Sequence, residues 1–219
     1  MLRYEDLLKS EAVKTYISRA DDTLRELGYT DHSFSHVLCV ASRVKYILET
    51  MGFEERTIEL GQIAGYLHDI GNLVNRKEHS QSGAIMAWSI LHDMGCEPAE
   101  IALIVSAIGN HDEGTGVPVN PVAAALILAD KSDVRRTRVR EKDQGKFDIH
   151  DRVNYSVTKS ELKINEDKTL VKLKLTVDTR YSSVLEYFEI FMERMLLCQK
   201  SAARLGLEFR LFINEQQLI

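Results

Sequence analysis

Histidine followed by aspartate occurs at four places in this 219-residue chain: His68-Asp69, His92-Asp93, His111-Asp112 and His150-Asp151. An imidazole nitrogen and a carboxylate oxygen both ligate divalent cations, so each pair could begin a metal site, and position along the chain has to choose among them. His68-Asp69 closes an apolar helical stretch and precedes the turn Ile70-Gly71. Neighbouring helical side chains lie about 100° apart, which lets both approach one cation where a helix end faces a cavity. The three cysteines, Cys39, Cys96 and Cys198, are scattered and form no Cys-x-x-Cys. That argues against a thiolate zinc site or a disulfide framework and leaves nitrogen and oxygen as the donors. A reducing, cytoplasmic setting is expected, in keeping with the absence of an apolar signal core behind Arg3.

The elements that must position these residues are helical as far as about residue 140. The pattern predicts one helix within 5–27 and a second from Ser33, with Phe34, Val37, Leu38, Ala41, Val44 and Leu48 as its apolar stripe. A third runs from about Glu55 to His68, a fourth from a Ser80 cap to Met94, and a fifth from Pro98 to about Asn110. Pro121 opens a sixth that continues towards Arg138. Glu141–Lys146 reads as a linker between residues 1–140 and a tail over 150–219. In that tail, Val153, Tyr155 and Val157, and then Val171, Leu173, Leu175 and Val177, alternate as two strands around the turn Asn165–Lys168. A long helix with Val184, Phe188, Phe191 and Met195 on one face follows, then a strand with Leu207, Phe209, Leu211 and Ile213. The fold class is mainly α, a helical bundle with a small C-terminal α+β (β-β-α-β) appendage.

Hydrophobic residues make up 44% of the chain and charged residues 28%, enough for an ordinary core. The formal net charge of −5 argues against a nucleic-acid coat role. The longest apolar run, Val122–Ala129, falls well short of the ~20 residues needed to span a bilayer, so no membrane partner is expected.

Five segments, in order, resemble the HD phosphohydrolase superfamily: Asp31-His-Ser-Phe-Ser-His36-Val, Tyr66-Leu-His68-Asp69-Ile-Gly71, Glu78-His79-Ser-Gln-Ser-Gly83-Ala84, Ile108-Gly-Asn-His111-Asp112 and Leu128-Ala129-Asp130-Lys131. The resemblance covers roughly residues 20–140 and implies an HD-type helical domain. It makes His36, His68, Asp69 and Asp130 ligands of one metal, and matches His79 and His111 to the additional histidines of the two-metal subgroup, with Asp69 bridging. Four His and two Asp suit iron or manganese, with cobalt, nickel, zinc or magnesium also compatible. Two such cations would turn a water into hydroxide for in-line attack on phosphorus, so Ser or Cys need not act as nucleophile. The substrate implied is a small-molecule phosphate, a nucleotide or a related ester or anhydride.

Around the ligands, Arg76, Lys77, Lys131, Arg135 and Arg138 are candidates to hold phosphate, and Asp112 and Glu113 to orient water or a leaving group. Many relatives carry Lys after the His-Asp-Ile-Gly run. This chain has Asn72, so that cation is missing or supplied by Arg76 or Lys77. The paired histidines and Gly-Tyr-Pro signature of cyclic-di-GMP phosphodiesterases are absent, whereas the compact ligand spacing is similar to that of bacterial HD hydrolases that split diadenosine tetraphosphate. Mixed-valent di-iron oxygenases of the myo-inositol oxygenase type share the ligand pattern and form the alternative, and a catalytically silent nucleotide-binding regulator is the third reading. His32, His92 and His150 read as bystanders, Arg135–Arg140 as a solvated helix end, and Gly61-x-x-x-Gly65 as a close helix contact. The tail is expected to complete the fold or to form a homodimer contact.

Overall fold

A computed structural model describes all residues from Met1 to Ile219. The helices start where the sequence supplies caps. Ser10 and Asn120 accept hydrogen bonds from Val13 N–H and Ala123 N–H, while Pro98 and Pro121 occupy first turns, where a missing N–H breaks no helical bond. Seven helices result before residue 140: α1 (Tyr4–Lys9), α2 (Glu11–Glu26), α3 (Phe34–Thr50), α4 (Glu55–Leu67), α5 (His79–Asp93), α6 (Pro98–Gly109) and α7 (Pro121–Lys131). A short 3-10 turn, Ile70–Leu73, links α4 to the α5 approach.

Three expectations need correction here. The single helix within 5–27 is two, because Ser10 is extended and caps α2. Helix α5 is capped not at Ser80 but at Glu78, which adopts a left-handed φ of 59°, a costly conformation for a residue with a Cβ. Helix α7 stops at Lys131 rather than running towards Arg138. The arginines beyond it are not a solvated helix end but bind back onto the fold. Arg138 donates to the carbonyls of Asp31 and Asp133, Arg136 to that of Tyr155, and Arg140 pairs with Asp21.

Helices α3 and α4 pack closely because Gly65 faces the Ala41 backbone, where a Cβ would lie 2.9 Å from Ala41 Cα. That contact brings the start of α3 beside the end of α4. Gly71 likewise lies so close to the His79 carbonyl and the Gly83 amide that any Cβ would collide. The two glycines hold His36, His68-Asp69 and His79 in one neighbourhood.

The tail begins with a helix, α8 (Ile149–Ser156), where alternation suggested a strand. Asp148 caps it by accepting from Asp151 N–H at 2.8 Å. Val153 and Val157 are both buried, one as the last core residue of the helix and the other as the first of the strand, which is why their spacing mimicked a strand. Then follow β1 (Val157–Ile164), β2 (Leu170–Val177), α9 (Val184–Arg204), β3 (Glu208–Ile213) and β4 (Gln216–Gln217). The sheet order is β1-β2-β3-β4; β1 pairs antiparallel with β2, and β2 parallel with β3 across α9. Helix α9 packs on α7, and one cluster of 48 buried residues runs through both the helical bundle and the sheet. No helix is long and apolar enough to cross a membrane.

Candidate metal centre and its cavity

Four imidazoles and two carboxylates converge beneath the α3–α4 contact. His36 sits in the first turn of α3, His68 at the end of α4, and Asp69 at the start of the 3-10 turn. His79 opens α5, His111 follows α6, and Asp130 lies in the last turn of α7. All six are buried. His36 Nε2 stands 3.3 Å from His68 Nε2, 3.3 Å from Asp130 Oδ1 and 3.4 Å from Asp69 Oδ2. His79 Nε2 stands 3.2 Å from His111 Nε2 and 3.4 Å from the other oxygen of Asp69, Oδ1. His36, His68 and Asp130 form one group compact enough to hold an ion, and His68, Asp69 and His111 another.

The hydrogen bonds behind the rings show what such a cluster requires. His68 Nδ1 donates to Gly65 O (2.8 Å), His79 Nδ1 to Arg76 O (3.1 Å) and His111 Nδ1 to Ile108 O (2.7 Å). His36 Nδ1 donates to Asp133 Oδ2 at 2.8 Å. A carbonyl can only accept, so the proton is on Nδ1 and every Nε2 turns a lone pair inward. Lone pairs facing each other at such distances, with two carboxylates beside them, are stable only around positive charge. The donor set fits divalent cations.

Without a cation, protons take that place. Burial opposes charging His68, but Asp69 and Asp130 outweigh it and raise its pKa to about 10. Burial would also raise both carboxyls; His68 beside Asp69, and Lys131 beside Asp130, instead hold them well below the usual range. His111 shifts far down, through burial first and then the charges of His68 and Lys131.

A cavity of about 450 Å³ opens over this centre. Asp69, His79 and Asp130 reach its wall, together with the cationic side chains of Arg76, Lys131, Arg138 and Arg194. Asn72 donates to Asp69 Oδ1 (3.0 Å) and accepts from Arg76 (3.3 Å), so it both orients the shared carboxylate and holds Arg76 in place. The Arg76 guanidinium also lies over the Tyr29 ring, 5.5 Å from its centroid. The far wall belongs to the tail: Asp148, His150, Asp151 and Asn154 from around α8, and Ile190, Phe191 and Arg194 from α9.

Residues 33–135 match the family model described as HD domain, a span that contains all six convergent residues. The match spans a little under half of the chain, and the segment has the mainly helical fold of an HD domain. Over 191 aligned residues the chain is also 26% identical to the uncharacterized protein MJ1020 of Methanocaldococcus jannaschii, covering 76% of this chain and 73% of that protein.

The HD domain brings together His36, His68, Asp69, His79, His111 and Asp130, and places Arg76 and Lys131 on the cavity wall beside them. Lys77 is exposed and absent from that wall, so the cation near Asn72 is Arg76. Asp112 is half-buried and also absent from the wall, where its neighbour Glu113 stands instead. Arg135 binds Asp133 rather than facing the cavity. His32 and His150, read as bystanders, both line the cavity, and His32 packs edge-on to His36 with centroids 5.4 Å apart. His92 is exposed and stacks on Trp88.

Two residues placed at the centre or its cavity went unread. Asp133, fully buried, lies three residues after Asp130 and fixes His36. The need of His36 Nδ1 for an acceptor, and the one-turn spacing, were the available signals. Arg194 lies outside the HD domain, and nothing local to α9 distinguishes it from an ordinary helix-surface arginine.

Proposed function

We propose that this chain is a metal-dependent phosphohydrolase acting on a small-molecule phosphate ester or anhydride, with nucleotides as the favoured class, in the cytoplasm. The observation that carries this reading is the set of four inward Nε2 lone pairs and two carboxylates opening into a cavity walled by cationic side chains. His36, His68, Asp69 and Asp130 would hold one cation, and Asp69, His79 and His111 a second. Bound divalent cations supply Lewis acidity and water activation, the two requirements for displacement at phosphorus. Iron and manganese are the favoured metals.

The remaining chemistry belongs to the chain. Asp133 and the backbone carbonyls of Gly65, Arg76 and Ile108 keep the imidazoles in the metal-binding tautomer. Arg76 and Lys131 offset the charge of an incoming phosphate, and Asn72 keeps Asp69 and Arg76 in register. Purified protein loaded separately with iron, manganese, cobalt, nickel and magnesium should release phosphate from at least one member of a panel of nucleotides and simple esters. Oxygen uptake with a polyol or phosphonate, and no phosphate release from the panel, would overturn the reading in favour of an oxygenase.

A further inference from the structure

Arg194 stands halfway along α9 and reaches the cavity wall with one-fifth of its side chain exposed. Two contacts fix its guanidinium. Its face rests on Phe191, 4.1 Å from the ring centroid, and its Nε donates to Glu113 Oε1 at 2.7 Å. It makes no other hydrogen bond to the protein, so both terminal nitrogens remain free. The other oxygen of Glu113 accepts from Lys131 Nζ at 2.9 Å, and the same ammonium lies 2.7 Å from Asp130 Oδ2.

Charge counting gives this arrangement a direction. Asp130 belongs to the ligand set, and a cation bound there takes up its negative charge. Lys131 and Arg194 then share the carboxylate of Glu113, the one anion to which both donate, which leaves this three-residue cluster with one positive charge in excess. A guanidinium anchored through Nε and one ring face presents its two terminal nitrogens as a fork, the geometry that grips two oxygens of a tetrahedral oxyanion. The adjacent ammonium offers a further donor.

We propose that Arg194 and Lys131 form an oxyanion subsite for a phosphoryl group of the substrate, built jointly by the HD domain and the C-terminal tail. The subsite rests on the phosphohydrolase reading for its place beside the reacting group, but its ligand chemistry can be measured without turnover. Glu113 is a positioning residue within it: it spaces the two cations and is not displaced by the ligand.

The test uses the full-length, manganese-loaded protein and inorganic phosphate as the probe, with affinity measured by calorimetry. Arg194→Gln should weaken phosphate binding about tenfold or more while metal content stays at the wild-type value. Arg194→Lys keeps the charge but loses the fork and should fall between the two; it also serves if the glutamine variant does not fold. A purely structural arginine would instead lower the melting temperature and leave phosphate affinity per folded molecule within twofold of wild type, which would overturn the subsite, as would failure of the wild-type protein to bind phosphate. Phosphate binding that depends on Arg194 in a protein that hydrolyses no ester would sustain the subsite and sink the hydrolase. Hydrolysis with KM and phosphate affinity unchanged in Arg194→Gln would do the reverse.

Discussion

The two halves of the candidate metal centre are buttressed differently. On one side, His36 is backed by the carboxylate of Asp133, itself held by Arg135 and buried without exposure. His68 and Asp130 complete that side from α4 and α7, whose contact residues are core. On the other side, the Nδ1 atoms of His79 and His111 donate to backbone carbonyls, with no carboxylate behind either ring, and His79 follows the left-handed Glu78 while His111 stands just before the loop containing Gly114 and Gly116. A carboxylate behind an imidazole makes it a more basic ligand than a carbonyl does. The first side should therefore fill more tightly and the second at higher metal concentration.

The sharpest way to break this asymmetry is to remove the residue both halves share. Asp69→Ala should lose both cations and lower phosphate release by roughly 1,000-fold or more, as read by elemental analysis and a phosphate assay. Full activity in that variant would end the two-metal mechanism. Asp133→Asn should weaken the tighter site by about 10–100-fold, without changing the weaker one, in a two-step metal titration. His111→Ala should do the converse, taking the stoichiometry from about two metals per chain to about one. Equal effects of the Asp133 and His111 variants on both steps would erase the difference between the halves.

Smaller effects sharpen the comparison. His68 is raised to about 10 in metal-free protein, so at pH 8 the site still carries a proton that a metal must displace. Calorimetry in buffers of different ionisation enthalpy should register release of about one proton per metal bound at the tighter site. The sign of the stability effect follows from the same shift. Metal-free protein gains from His68 fully below about pH 6.5, and that gain disappears as pH rises through about 10. Gly65→Ala should cost about 1–3 kcal/mol by forcing α3 and α4 apart, with a lower melting temperature and slightly weaker metal retention.

The six residues that converge were legible as candidates because each lies in a short motif at a helix end, where spacing and a following glycine or apolar run reveal the setting. The β-β-α-β succession within the tail was legible too, since strands β2 and β3 alternate cleanly, but the two-residue β4 was not, and β1, at 157–164, begins only at the last of the residues read as the first strand. The α8 helix was not, because Val153 and Val157 face the core from two different elements and imitate a period of two. The arginines after Lys131 were misread for a related reason. A run of like charges looks solvated until the acceptors, here the carbonyls of Asp31 and Tyr155, are brought to it by other elements. The Glu113–Arg194 pair spans 81 residues, so nothing near either one in the sequence announces the other.

The parallel pairing of β2 with β3 sets an order of assembly during synthesis. All six candidate metal ligands have been made by the time Asp130 is added, but α9 is the crossover between two strands that pair with one another. Helix α9 packs directly on α7, and residues 208–213 then close the sheet against β2, a non-local pairing that is slow to form. The metal ligands thus emerge early and the far wall of the cavity arrives last. Until it does, the six convergent side chains face bulk water, and only the completed tail closes them into a walled cavity.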